Sequence, residues 1–354
     1  MKALVLAGGE GTRLRPITHT SAKQLVPVAN RPILDFGLEA IRDAGITDVG
    51  IIVGGTHAEI EAHVGDGARF GIRVTYLHQP APLGLAHAVL TAADWLADDD
   101  FVMYLGDNLI ADGITQFVRQ FRERRPTAQI LLARVRDPER FGVAELDDTG
   151  HVVRLVEKPQ HPPSDLALVG VYLFSSRITE AARSIAPSQR GELEITDAIQ
   201  WLIEHDEPVA SQIVTGWWKD TGKLDDLLEA NRIILDTIDR RVDGDVDADS
   251  DVQGRVVIEK GARIVDSSVR GPAVIDSDTT LTRTFVGPYT SIGAGCTIVG
   301  SELEHSVVLD GVTIQDIGRM EDSLVGRQAH VVRSERRPRA HRFMLGDHSR
   351  VDLP

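Results

Sequence analysis

Hydrophobic positions along the chain follow two different periods, and the change falls near residue 239. Before it, short apolar runs alternate with stretches whose apolar residues recur at helical spacing. Residues 2–7 form an apolar run that stops at Gly8-Gly9, as a buried strand does. Residues 32–44 place Ile33, Leu34, Gly37, Leu38 and Ile41 on one helical face and end at Gly45. The same logic predicts strands at 49–53, 73–77, 101–105 and 129–134, with helices at 58–64, 84–96 and 113–124 between them. Residues 142–174 turn strand-rich, with alternation over 152–156. Helices return at 176–185 and 194–204, followed by a strand at 209–214 and a last helix at 224–238. Strands that alternate with helices imply crossover units, hence a Rossmann-like α/β domain with a mostly parallel sheet over residues 1–238.

Residues 239–251 (DRRVDGDVDADSD) are rich in Asp and poor in large apolar residues. They read as a solvated linker or as the first edge of a second domain. Beyond them single aliphatic residues recur every six positions, at Val246, Val252, Ile258 and Ile264. The register slips by one to Val269, Ile275 and Leu281, and again to Val286, Ile292 and Ile298. Steps of six, six and five sum to a lag of 17, which aligns Val252, Val269, Val286 and Leu303. It also aligns Ile258, Ile275, Ile292 and Leu309, and likewise Ile264, Leu281 and Ile298. Gly, Ser and Asp fill the gaps. One inward aliphatic per side of a three-sided prism is the pattern of a hexapeptide parallel β-helix, here over residues 252–354 and about four to five coils. The tail, basic from Arg333, is expected to cap the open end.

Composition narrows the function. Hydrophobic residues make up 42%, close to the globular average, which excludes a disordered or fibrous chain. The net charge of −15 disfavours a surface that binds nucleic acid or anionic membrane. Cys296 is the single cysteine, so no disulfide or cysteine-based zinc site can form within the chain, as in a reducing cytoplasm. The first apolar run is too short for a signal peptide, and no later stretch is long enough to span a bilayer. A cytoplasmic protein is expected.

The chemistry concentrates in the front loop. Residues 4–16 read LVLAGGEGTRLRP, so a buried strand runs into Gly8, Gly9 and Gly11, then Thr12 and Arg13. Glycines let backbone N–H groups turn toward an anion and let a ligand approach closely. The loop is neither GxGxxG nor a phosphate loop of the GxxxxGK[ST] type. Ten residues on stands Lys23-Gln24-Leu25-Val26-Pro27-Val28. Taken alone, Gly106-Asp107-Asn108 after a strand is either an Asx turn or a carboxylate suited to Mg²⁺. Asp220, in Trp218-Lys219-Asp220-Thr221-Gly222, is either a second metal ligand or a helix cap.

The glycine loop with Thr-Arg-Leu-x-Pro, together with Lys-Gln-Leu-x-Pro-Val, closely resembles the sugar nucleotidyltransferases. Within them KQLVPVAN is most similar to the glucose-1-phosphate thymidylyltransferases, and the β-helical extension to their long form, whose β-helix is left-handed. The resemblance implies transfer of a thymidylyl group from dTTP to α-D-glucose 1-phosphate, releasing pyrophosphate, in deoxysugar or antibiotic-sugar biosynthesis. It implies Arg13 and Lys23 as catalytic cations and Mg²⁺ held by Asp107 and Asp220. It places the nucleotide on Leu6, Ala7, Gly8, Gly9, Gly11, Thr12, Gln24, Gln79, Pro82, Gly84 and Asp107. It places the sugar phosphate on Asn108, Phe141, Gly142, Glu157, Lys158, Val171, Tyr172 and Arg190. A side-chain amide such as that of Gln79 can both donate to and accept from a pyrimidine edge. Residues 79–84 read QPAPLG, a variant of the family's loop, and the following LAHAV looks like the uridylyltransferase branch, so UTP or another sugar or cyclitol phosphate is the alternative substrate.

Two further alternatives are a catalytically silent regulatory paralogue and a bifunctional acetyltransferase using His305, the only histidine between Gln253 and Arg327. Relatives imply a homodimer or homotetramer.

Overall fold

The computed structural model describes residues 1–9, 11–19, 21–333 and 341–353. Among them two compact units form. The first comprises 1–9, 21–25 and 33–220, and the second comprises 11–19, 26–32 and the described residues from 221 onward.

The first unit is a mixed sheet. In chain order its elements are β1 (Lys2–Leu6), α1 (Ile33–Asp43), β2 (Asp48–Val53), α2 (His57–Val64), β3 (Arg73–His78), α3 (Leu85–Thr91), α4 (Ala93–Leu96), β4 (Phe101–Leu105), β5 (Asn108–Ile110) and α5 (Thr115–Arg124). They continue with β6 (Ala128–Arg134), β7 (Gly142–Leu146), β8 (Val152–Glu157), β9 (Leu166–Phe174), α6 (Arg177–Ser184), α7 (Ile195–Glu204), β10 (Val209–Ile213) and β11 (Trp218–Asp220). The sheet order is β8-β7-β9-β4-β1-β2-β3, with β6 between β9 and β10. Strands β1 to β4 run parallel, as the crossover pattern predicts. Strand β9 runs antiparallel to β4, β6 and β7. The sheet is buried on both faces, which is why its strands read as continuous apolar runs. Leu4, Leu6, Met103, Tyr172 and Phe174 point into one core, and Ala3, Val5, Tyr104, Val171 and Leu173 into the other. The helix expected over 84–96 divides into α3 and α4 at Ala92.

The second unit is a parallel β-helix of the left-handed, hexapeptide type, preceded by α8 (Leu224–Leu235). Its rungs stack Val252, Val269, Val286 and Leu303 on one side, and Ile264, Leu281, Ile298 and Ile314 on another. On the third side Ile258, Ile275 and Ile292 stack as the lag of 17 predicts, but the next rung is Val308, not Leu309. The step from Leu303 shortens to five residues there, and the buried register follows the packed Val308. Strands within 239–251 already pair into the prism, Val242 with Ile258 and Val246 with Ile264. Among the described residues one side therefore has six rungs, more than the four to five coils expected. Part of the expected cap, residues 334–340, lies outside the described residues, and 341–353 contain neither helix nor strand.

The Ser and Thr residues in the gaps do more than turn the chain. Ser267 Oγ accepts the Thr284 N–H at 3.0 Å and donates to Val265 O at 2.7 Å. Ser250 and Ser306 repeat the pattern, accepting from the N–H groups of Ser267 and Ser323. This hydroxyl ladder satisfies backbone N–H groups at the solenoid corners.

Asn231 on α8 joins three parts of the second unit. Its Oδ1 accepts from Ala29 N–H at 2.8 Å and Ser291 Oγ at 2.6 Å, and its Nδ2 donates to Tyr289 O at 3.0 Å. Asn30 adds a bond from its Nδ2 to Ile292 O at 2.7 Å. The short hairpin of Pro27–Val28 and Arg31–Pro32, next in sequence to Lys23 and Gln24, is thereby fixed to a solenoid coil. Asn231 is fully buried. Leaving buried partners unpaired costs about 1–3 kcal/mol each. Asn231→Ala is expected to lower the unfolding free energy by at least about 2 kcal/mol. Guanidinium melts check this, and an unchanged midpoint would contradict it.

Candidate active site

The site begins where β1 and β4 end side by side. Leu6 pairs with Leu105, and the Gly106 N–H donates to Leu6 O at 3.0 Å. Leu6 and Ala7 are buried, and Gly8-Gly9 follow. These carboxyl ends of parallel strands are where open α/β sheets bind ligands. Lys23 enters from a single 3₁₀ turn, Lys23–Leu25, pinned by Ala22 N–H donating to Glu59 Oε2 at 2.8 Å. Its Nζ donates to and pairs with the Asp107 carboxylate, and both side chains are largely buried. Burial pushes the Asp107 carboxyl up, but the Lys23 ammonium and its hydrogen bond outweigh this and hold it below the usual carboxylate range. Burial, then the Asp107 charge, raises the neighbouring Tyr104 phenol, whose hydroxyl donates to Asn108 O at 3.1 Å.

Asn108 links this pair to a second strand pair. Its Nδ2 donates to Asp107 Oδ1 at 3.0 Å, and its Oδ1 accepts from Trp218 Nε1 at 2.6 Å. Both ends of the amide are thereby fixed. Strands β5 and β11 run antiparallel with Asp220 opposite Asn108, which brings Asp220 next to Asp107's neighbour. Asp220 ends a strand and α8 starts only at Leu224, with Lys223 at its cap position, so helix capping is not its role. Asp107 does lie in the turn Gly106-Asp107 between β4 and β5, and its side chain also forms a charge pair with Lys23. Among the described residues no group of three or more His, Cys, Asp or Glu side chains gathers as a metal cluster. Mg²⁺ needs only one or two protein carboxylates beside phosphate oxygens and water, a donor set that Asp107 and Asp220 can supply.

Glu157 centres a second group. Its Oε2 accepts from Thr196 Oγ1 at 2.6 Å, and its Oε1 lies 3.1 Å from Lys158 Nζ and 3.4 Å from an Arg190 nitrogen. Arg190 also pairs with Glu192 at 2.8 Å and with the buried Glu194 at 3.5 Å. Burial raises the Glu194 and Asp197 carboxyls, and the Glu157 charge adds to both. Lys158 is tied back by its N–H to Phe141 O at 2.9 Å, and Phe141 meets Trp218 edge-on with ring centroids 5.3 Å apart. Gly142 stands beside Glu157. The chain from Lys23 to Arg190 is thus continuous through Asn108, Trp218, Phe141 and Lys158.

The expected nucleotide side is built from Gln24, Gln79, Pro82 and Gly84. Gln24 is 3% exposed, and its buried Oε1 has no hydrogen-bond partner. Such an atom costs free energy unless a ligand satisfies it. Gln79 donates through Nε2 to Gly84 O and His87 Nδ1. Pro82 is exposed on the same loop. Val171 and Tyr172 point into opposite cores, so only their backbone can face a ligand. Gly11, at φ 63°, opens the turn Thr12–Leu14, in which Thr12 and Arg13 are exposed and Leu14 is buried, within the second unit.

Sequence reasoning missed four supports: Trp218, Thr196, Glu194 and His87. Trp218 stands inside a recognisable motif, but the motif names no partner for it. Thr196 and Glu194 sit in a stretch that reads as an ordinary helix start, and nothing local signals that Glu157 lies against it.

Residues 2–237 match the nucleotidyl transferase family. The chain is similar to a glucose-1-phosphate thymidylyltransferase of Streptomyces antibioticus, 58% identical over 100% of this chain and 99% of that one. A second such enzyme, from Streptomyces griseus, is 57% identical over 100% and 99%. Among solved structures, a Bacillus anthracis protein assigned as a glucose-1-phosphate thymidylyltransferase, in complex with sucrose, superposes with a TM-score of 0.62 at 37% identity. That match covers 66% of this chain and 94% of that one.

Gly170 sets the position of Asn108. It sits where the pairing of β9 with β6 shifts register, and a Cβ there would fall 2.7 Å from the Asn108 amide. Gly170→Ala is expected to displace Asn108 from Asp107 and Trp218. Turnover should drop roughly 10²-fold, the scale for a misplaced catalytic group. Steady-state kinetics on a variant that still melts cooperatively check this, and wild-type turnover would contradict it.

Proposed function

The chain belongs to the nucleotidyl transferase family, and from that footing we propose the roles by which its residues make dTDP-glucose. It is a sugar-1-phosphate nucleotidyltransferase: dTTP and α-D-glucose 1-phosphate give dTDP-glucose and pyrophosphate. The observation that supports these roles best is the buried Lys23–Asp107 pair at the ends of the central parallel strands. A phosphate oxygen of the sugar phosphate attacks the α-phosphorus of the nucleotide in line, the new P–O bond forms, and the bond to the pyrophosphate oxygen breaks. A phosphate monoester is already a competent nucleophile near neutral pH, so no side chain needs to take a proton. What remains is to bring two polyanions together and offset the charge on the transferring group.

Lys23 meets phosphate oxygens of the transition state, and Arg13 neutralises the α-phosphate and the departing pyrophosphate. Gly8, Gly9, Gly11 and Thr12 hold phosphates through backbone N–H groups. Gln24 and Gln79 face the base. Glu157 accepts from sugar hydroxyls, while Lys158 and Arg190 meet the sugar phosphate and the backbone near Gly142, Val171 and Tyr172 lines the hexose. Asp107 and Asp220 would hold Mg²⁺, which supplies positive charge to the nucleotide phosphates when bound. The residues fit that ion because Asp107 is held ionised and Asp220 stands opposite its neighbour.

Residues 1–238 form the catalytic domain and the β-helix beyond it a second domain. The protein works in the cytoplasm as a dimer or tetramer. No described helix is long and apolar enough to cross a membrane.

Pyrophosphate release from dTTP, UTP, ATP, GTP and CTP with several sugar 1-phosphates tests the assignment. Turnover should be highest with dTTP and glucose 1-phosphate, and a clear preference for another pair would overturn it. Lys23→Ala and Arg13→Ala should each lose about 10²–10³-fold in kcat, the scale of one transition-state donor. Near-wild-type kcat would remove that residue from the chemistry. Asp107→Asn combined with Asp220→Asn should abolish Mg²⁺-dependent turnover, and unchanged turnover would place the metal elsewhere.

A further inference from the structure

The hydrogen bonds around Gln79 decide which end of its amide is free. Gln79 follows β3 directly, and its N–H donates to Val53 O at 2.9 Å. Its Nε2 lies 3.3 Å from Gly84 O and 2.9 Å from His87 Nδ1. A carbonyl oxygen can only accept, so the Gly84 contact alone assigns the nitrogen to that side. Gly84 is held fast: a Cβ there would fall 2.3 Å from Leu193 O. The Leu193 N–H donates to Leu83 O at 2.8 Å, and Leu193 O accepts the Ala86 N–H at 3.0 Å.

His87 takes the other amide hydrogen. Thr91 Oγ1 donates its single proton to His87 O at 3.0 Å. That leaves Nδ1 to accept from Gln79, with the ring proton on Nε2. Both amide hydrogens of Gln79 are therefore committed within the protein. Its Oε1 remains, 3.8 Å from where a side chain on Gly8 would begin, along the glycine loop.

We infer that His87 is a positioning residue which, with the Gly84 carbonyl, holds Gln79 as an acceptor only, so that the site selects a pyrimidine with a ring N–H. This rests on the nucleotide reading above. Thymine and uracil present N3–H to such an acceptor, and cytosine presents a lone pair. An acceptor facing an acceptor loses the bond and adds repulsion, and sites built to hydrogen-bond a substrate group reject analogues lacking it most strongly. The same contact does not distinguish thymine from uracil, because the two differ only in a methyl group away from N3.

The test compares kcat/KM for dUTP and dCTP with glucose 1-phosphate, by pyrophosphate release. These nucleotides share sugar and triphosphate and differ only at the base edge. The wild type should favour dUTP by about 10³-fold or more. His87→Ala frees the amide to turn and should narrow that ratio at least roughly tenfold, through the KM of the nucleotide and not that of glucose 1-phosphate. His87→Asn, whose Oδ1 can accept where Nδ1 does, should restore it. If His87→Ala does not fold, His87→Leu against His87→Asn gives the same comparison. A wild-type ratio in the Ala or Leu variant, or no recovery in the Asn variant, overturns the role of His87 alone. A wild type that turns over neither dTTP nor dUTP overturns the substrate reading itself, and this inference with it.

Discussion

The buried pairing of Lys23 with Asp107 is the constraint on which the rest of the site depends. An ammonium and a carboxylate withdrawn from water are tolerable only together. Their pairing keeps Asp107 ionised despite its burial, and keeps a cation at the edge of the sheet where a phosphate would bind. Much of the surrounding structure fixes one partner or the other. Glu59 pins the turn that delivers Lys23. Asn108 and Trp218 clamp Asp107 from the far side, and Tyr104 braces the backbone of Asn108. In the role proposed for it, Lys23 would serve the phosphate oxygens of a bound nucleotide as well as Asp107.

The site works by preorganisation. Several of its polar groups are held in place by the protein itself: Glu157 through Thr196, Lys158 and Arg190, and the Gln79 Nε2 through Gly84 and His87. Little reorganisation is left for the reaction step, which is where fixed dipoles and charges gain their advantage over water. The second unit shows the same economy with neutral groups. A buried amide, Asn231, fixes the hairpin at Ala29 to the coil at Tyr289 and Ser291, and Ser and Thr hydroxyls satisfy the solenoid corners.

Much of this was legible in the sequence because it depends on periodicity. Strand and helix spacing gave the α/β unit, and a lag of 17 gave the solenoid rungs through Leu303. The rung at Val308 was not legible, since Val307, Val308 and Leu309 are all aliphatic and only packing chooses among them. Family resemblance pointed to Lys23, Asp107, Asp220 and Glu157. It did not reveal their supports, because Thr196, Trp218 and His87 act through contacts between distant segments. Asp220 shows the limit well: in sequence it could cap the following helix, and only the strand pairing sets it opposite Asn108, the neighbour of Asp107.

The central claim is that the chain holds two anions in line and contributes no covalent nucleophile of its own. The stereochemistry at the α-phosphorus tests this most directly. With dTTP carrying a single-configuration sulfur on the α-phosphate, and glucose 1-phosphate as acceptor, the configuration of the product is read by phosphorus NMR. A single in-line displacement predicts inversion. Retention would mean two successive displacements through a nucleotidylated side chain, and would contradict the account.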